Sequence, residues 1–189
     1  VTTGLDAEQM RELDVGSSSE RWTPSQGISP SSMEGRAAGM EVKELGHVVL
    51  YVGNIETSVA FYGDLLGWKV AFPAGPGRPV AAFSSGRTHH ELLLIEVGEG
   101  ATPPPKGRHL GMYHIGLKIG DDDDTLRAAF ARLQSAGVEI SGATDHTISH
   151  SLYVADPDGN EVEIFVDVPG VDWKNDPSLI MAPGRPLAL

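Results

Sequence analysis

The sequence predicts an α+β fold made of two tandem βαβββ modules whose strands form a cupped mixed sheet. Two observations carry this. Residues 46–53 read GHVVLYVG and residues 113–120 read YHIGLKIG, so one phrase is written twice, with a histidine at the head of a short apolar run that closes on a glycine six residues later. Each phrase is then followed by the same series of periodicities, the mark of an internal repeat. In the first copy, HVVLYV is strand-like. NIETSVAFYGDLLG has helical spacing through Ile55, Val59, Phe61, Tyr62 and Leu66, with Gly67 placed as a C-terminal cap, and WKVAF, VAAFSS and HELLLIEV read as three further strands. After the Pro/Gly-rich connector GEGATPPPKGRHLG, the second copy runs HIGLKI, the helical DDTLRAAFARLQSAG, and then VEISG, SLYVAD and EVEIFVDV. Asp121 to Asp124 sit at the start of that helix, where the macrodipole favours negative charge and a solvated cap is expected.

The resulting division is an N-terminal arm at 1–39 and a domain at 40–189. Within the domain, module one spans 44–98, the connector 99–112, module two 113–168 and a C-terminal tail 169–189. The arm is rich in Ser, Gly, Pro, Glu and Arg, with Trp22 as a lone aromatic anchor, and cannot bury enough apolar surface to offset its own ordering. It is expected to be mobile or to pack on another surface. The tail, DWKNDPSLIMAPGRPLAL, is expected to cover the cup or to pack on a second subunit.

Composition narrows function. A formal charge of -12 and a pI near 4.9 argue against nucleic-acid or anionic-membrane partners, because no basic patch is available to neutralise phosphates. No apolar run approaches the ~18 residues of a membrane span, and no basic stretch followed by an apolar one opens the sequence, so the cytoplasm is the default expectation. The absence of cysteine removes disulfides, thiolate ligands and cysteine nucleophiles together. All seven histidines fall between His47 and His150, which concentrates there the side chains that favour transition metals.

The repeat nominates four positions. His47 and His114 open the two first strands, while His90 and Glu163 each lie four residues after a turn glycine, Gly86 and Gly159. Strand alternation tests whether they point the same way. His47 shares a face with Val49 and Tyr51, opposite Val48, Leu50 and Val52. His114 lies opposite Ile115, Leu117 and Ile119, and Glu163 opposite Val162, Ile164 and Val166. His90 is expected beside Leu92 and Leu94, opposite Leu93, Ile95 and Val97. In each case the polar residue faces away from the helix side. Imidazoles and a carboxylate converging from different strands make a facial site for a divalent metal, with positions left open for substrate. The competing structural reading is that each histidine only caps a strand end or bonds a nearby carbonyl. Glu96 rivals His90: six residues apart on one strand is roughly 20 Å, so only one of the two can face a metal.

These residues, with the closing phrase YVADPDGNEVEIF, resemble the vicinal oxygen chelate superfamily of glyoxalases, extradiol dioxygenases, epimerases and drug-resistance proteins, over about residues 44–168. The THHELLL segment makes the chain most similar to single-domain extradiol catechol dioxygenases. That resemblance implies a cupped sheet around a metal, with Fe(II) bound by His47, His114 and Glu163. His90 is then the acid–base residue outside the ligand set, and Tyr153, ten residues before Glu163, and His146 are further active-site residues. It also implies Mn(II) as a substitute metal, a small aromatic diol and O2 as substrates, and a homodimer. Lys106, Arg108 and His109 are expected in a solvated loop within reach of an acidic ring substituent, and His150 in a structural role. The alternative within the superfamily is a lyase or isomerase of glyoxalase or epimerase type using Zn(II), Ni(II) or Co(II) with Glu96 or His90 as fourth ligand, or a drug-binding resistance protein.

Overall fold

A computed structural model of the chain describes residues 41–189. The fold described is that of the compact unit Glu44–Leu189. The expected arm at 1–39 lies outside the described residues.

The first strand, β1 (Val48–Val52), leads into α1 (Ile55–Val59), which is capped by Asn54 accepting from the Thr57 amide at 2.9 Å and continues as a π-helical segment at Ala60–Leu65. Gly67 ends it at φ 77°, the left-handed geometry that a helix C-terminus favours and that glycine adopts without steric cost. Three strands follow, β2 (Val70–Phe72), β3 (Val80–Phe83) and β4 (Leu92–Glu96), and the sheet order is β1-β4-β3-β2, with β1 and β4 parallel and the other pairs antiparallel. The second copy repeats this with β5 (His114–Gly120), α2 (Asp123–Ser135), β6 (Ile140–Asp145), β7 (Ser149–Ala155) and β8 (Glu161–Asp167). Its order is β5-β8-β7-β6, extended by a short strand β9 (Arg185–Pro186) on the β6 edge. The fold is thus the α+β pair of βαβββ modules that the periodicity predicts, carried on two hydrogen-bonded sheets. The tail does not lie free: it supplies β9 and packs Leu187 against the core.

The core sits on the helix side of both sheets. Leu50, Val52, Leu92 and Leu94 from the first module and Leu152, Val154, Val162, Ile164 and Val166 from the second are fully or nearly fully buried, with Leu126 and Leu133 of α2 against them. Each such side chain contributes about 1.5–3 kcal/mol by leaving water. The alternation expected for β1, β5 and β8 holds. That for β4 is reversed: Leu92 and Leu94 are buried in the core, and Leu93 and Ile95 are half-exposed on the other face. Register explains this, because parallel pairing sets Leu92 beside Val48 and Leu94 beside Leu50, so these four residues share one face.

The modules are tied by the turn at 156–160. The fully buried Tyr62 donates its hydroxyl to Asp156 Oδ2 at 2.8 Å, while Asp156 Oδ1 accepts from the amides of Asp158 and Asn160. Burial, then the Asp156 carboxylate, pushes the Tyr62 phenol well above its ordinary range. Gly53, just past β1, donates its amide to Asp158 Oδ1 at 2.9 Å, and a Cβ at Gly53 would stand 2.9 Å from that same oxygen.

Candidate metal centre in two halves

Module two assembles one group of side chains. His114 opens β5 and Glu163 is the third residue of β8, and in the parallel pairing Gly116 stands beside Glu163 and His114 beside Glu161. A Cβ at Gly116 would lie 3.5 Å from Glu163 Oε2 and 3.4 Å from the Phe165 ring, so a side chain there would crowd Glu163. The His114 ring reaches Glu163 with its Nε2 3.1 Å from Oε2. Tyr153 stands opposite Glu163 in the antiparallel pairing of β7 and β8, and its hydroxyl donates to Glu163 Oε1 at 3.2 Å. His146 Nε2 lies 2.7 Å from the same hydroxyl. With the phenol proton directed to the carboxylate, His146 is the donor of that contact and its Nε2 carries the hydrogen. Desolvation first, and the Glu163 charge second, raise the Tyr153 pKa well beyond the ordinary phenol value, so the hydroxyl stays protonated.

His146 is aimed by the β6–β7 turn. Its amide donates to Ser149 O at 2.8 Å, and the adjacent Thr147 is held at φ 74° with its amide on Asp145 Oδ1. Among the described residues Thr147 is the one non-glycine at positive φ, a strained geometry of the kind found where a side chain must be directed. The tail backs the ring from behind, since a Cβ at Gly184 would come within 3.5 Å of His146 Nδ1.

Module one assembles the other group. His47 immediately precedes β1 and is exposed, and its ring centroid lies 4.5 Å from that of His90 and 6.4 Å from that of His89. His90 sits in the bend before β4 rather than on the strand, so the bend and not strand alternation brings it to His47. The Nδ1 atoms of His89 and His90 are 2.6 Å apart, a separation at which one hydrogen must lie between them. Burial, then the neighbouring His89 and His47, lowers the His90 pKa and favours the neutral ring. The face around His47 is open, with Val49 44 % and Tyr51 70 % exposed.

Among the described residues no hydrogen bond, ion pair or ring contact joins His47 or His90 to His114 or Glu163, and no three His, Asp or Glu side chains are grouped so as to hold a metal ion. The donor chemistry itself suits a divalent cation of the Fe(II) type, which takes imidazole and carboxylate together. Adjacent donors on an octahedral ion of this size stand roughly 3 Å apart, and the His114–Glu163 pair is at 3.1 Å. The second module's half therefore fits a metal, and the first module's half lies elsewhere on the chain.

The remaining nominated residues serve structure. Glu96 Oε2 accepts from the Ile55 amide at 2.7 Å at the start of α1, on the helix side of the sheet. His150 bonds Asp123 at 2.6 Å, and His109 bonds Gly107 O. Leu92 and Leu94, expected in the cup, belong to the core. A groove of about 1110 Å3 opens between Leu65, Leu66 and Trp68 and the helix-side face of β5; it reaches His47 but none of His114, Tyr153 and Glu163, so it is not the candidate centre. Sequence reasoning passed over Glu161 and His89. Glu161 was within reach of the alternation argument, since it shares the face of Glu163.

The chain belongs to the glyoxalase/bleomycin resistance protein/dioxygenase superfamily, whose sequence model matches residues 44–164. It is 32% identical over 136 residues to a catechol-2,3-dioxygenase of Bacillus subtilis (strain 168), covering 72% of this chain and 46% of that one. It is 27% identical over 124 residues to biphenyl-2,3-diol 1,2-dioxygenase 3 of Rhodococcus globerulus, covering 65% and 63%. The chain thus spans about half to under two thirds of the length of these relatives. Among solved structures, a glyoxalase/dioxygenase from Nostoc punctiforme matches with a TM-score of 0.56 at 20% identity over 70% of this chain and 99% of that one, a likeness of fold. No helix among the described residues is long and apolar enough to cross a membrane.

Proposed function

We propose that the protein is an Fe(II)-dependent extradiol dioxygenase that inserts both atoms of O2 into a catechol-type ring. The observation that carries this reading is the group on module two: a His114–Glu163 pair at ligand spacing with a protonated phenol and an imidazole bonded to its open side. The names of the dioxygenase relatives support it. His114 and Glu163 would hold the metal with His47 as third ligand, and Mn(II) is the substitute that the same donors accept. Bound there, the ion supplies Lewis acidity toward the diol and a redox couple that links it to O2.

The chain's own residues do the rest. Tyr153, kept protonated by burial and by Glu163, donates to the deprotonated diol oxygen once substrate displaces its present contact. His146 holds that hydroxyl in place from the other side. His90, favoured as the neutral ring beside His47, takes and returns a proton at the reacting oxygen. Val49, Tyr51 and Phe165 provide the apolar wall that suits a flat ring.

The same reading accounts for the separation of the halves. A homodimer that sets module one of each copy against module two of its partner closes two centres at once, as twofold symmetry requires, and covers the open face around His47. The test is oxygen uptake by Fe(II)-reconstituted protein with a panel of catechols. A yellow ring-fission product is the expected result. No turnover of any catechol, combined with isomerisation of a thiol adduct by the Ni(II) or Zn(II) protein, would overturn it in favour of the glyoxalase-type alternative.

A further inference from the structure

We propose that Glu161 is the positioning residue of His114, its carboxylate accepting the Nδ1 hydrogen and thereby turning the Nε2 lone pair toward Glu163 and the cation they would share. This rests on the reading of His114 as a metal ligand and goes beyond it.

The imidazole lies between two carboxylates. Nε2 faces Glu163 Oε2 at 3.1 Å, and Nδ1 faces Glu161 Oε1 at 3.3 Å. The second contact is the unusual one. His114 Nδ1 and Glu161 Oε1 are both buried, and neither has a hydrogen-bond partner. A ring nitrogen that can donate and a carboxylate oxygen that can accept are held side by side because β5 and β8 pair His114 with Glu161 in register. At 3.3 Å they are close enough to bond but misaligned, and a small rotation of the ring brings the N–H onto the oxygen.

The chemistry requires that rotation when a cation binds. An imidazole coordinates through a lone pair, so a metal at Nε2 forces the hydrogen onto Nδ1, and a buried N–H needs an acceptor. Without a cation the hydrogen can sit on Nε2 and serve Glu163 instead. Glu161 thus decides between the tautomer that pairs with Glu163 and the tautomer that binds metal. The direct bond to the metal is left to Glu163, since Glu161 is turned to the far nitrogen of the ring.

The test uses Co(II) as a spectroscopic probe in the full chain. Affinity is read by chelator competition, and the ligand set by the visible bands. Glu161→Ala is expected to weaken Co(II) binding about 10- to 100-fold, and Glu161→Gln, which keeps an acceptor oxygen in the same place, to recover most of that loss with the bands of the unsubstituted protein. Equal affinity in Glu161→Ala and the unsubstituted protein would overturn the proposal. So would equal loss in both variants with altered bands, which would make Glu161 a ligand. His114→Ala separates the two levels: if it binds Co(II) undiminished, the reading of His114 as ligand fails whatever Glu161 does. Thermal unfolding of the metal-free variants is expected to match the unsubstituted protein. If Glu161→Ala does not fold, the Gln variant alone decides by its bands.

Discussion

The two modules share a scaffold and differ in how they hold their polar residues. In module two, His114, Tyr153 and Glu163 all lie on paired strands, with Tyr153 opposite Glu163 and His114 two residues before Glu163's partner Gly116, and form a half-buried network. In module one, His47 and His90 stand on the segments that lead into β1 and β4, and the strand faces themselves carry apolar residues. The difference teaches that the repeat copies the sheet and its core while leaving each half free to supply a different part of the chemistry. One half is a half-buried network on paired strands. The other stands exposed on the segments before its strands.

The largest expected effects break this asymmetry outright. Glu163→Ala and His114→Ala should each abolish tight Fe(II) binding, measured by retention of iron after gel filtration, whereas His90→Ala should keep the metal and lose turnover by about 10²- to 10⁴-fold. Loss of iron in His90→Ala would instead make that ring a ligand. Next in size is a complementation measurement: after mixing and subunit exchange, His47→Ala and Glu163→Gln copies should regain about a quarter of the wild-type centres if halves come from different copies, and none if each chain completes its own. Tyr153→Phe should leave the metal in place but removes the hydroxyl that donates to Glu163, and kcat with a catechol should fall roughly 10- to 100-fold with little change in iron content.

Smaller effects probe the scaffold. Tyr62→Phe removes one charge-assisted bond to Asp156, which keeps its contacts to Asp158 and Asn160, and should cost about 1–3 kcal/mol at pH 8 by urea unfolding. The sign of the pH effect follows from the raised folded-state pKa of Tyr62. Below about pH 10 both states hold the proton and nothing changes. Above it the unfolded state releases the proton first, so stability falls as pH rises. The variant should lose less between pH 9 and 11 than the unsubstituted protein does. Least of all, Glu96→Gln should shift the unfolding midpoint by about 0.5–1.5 kcal/mol and leave metal affinity untouched, because its carboxylate serves the start of α1.

Most of the fold was legible because β1, β5 and β8 alternate plainly and the caps are where their residues imply. Asn54 accepts at the start of α1, and Gly67 takes a positive φ at its end. β4 departs from the expected parity for a physical reason. Leu92 to Ile95 are all apolar, so alternation is silent there, and the buried face is chosen by register with β1, a relation between distant residues. His90 stands beside His47 through the bend before β4, although the parity expected of that strand is reversed. Alternation puts Glu161 on the face of Glu163, but its place beside the His114 ring follows only from the pairing of β5 with β8. That the halves stay apart within one chain depends on module packing, which no local pattern encodes.

The bonds around residues 156–160 have a mechanical consequence. Tyr62 and Gly53 grip that turn from module one, so a load that pries the modules apart must break a buried phenol–carboxylate bond. The turn works as a latch, and under tension the modules should yield together, in one step.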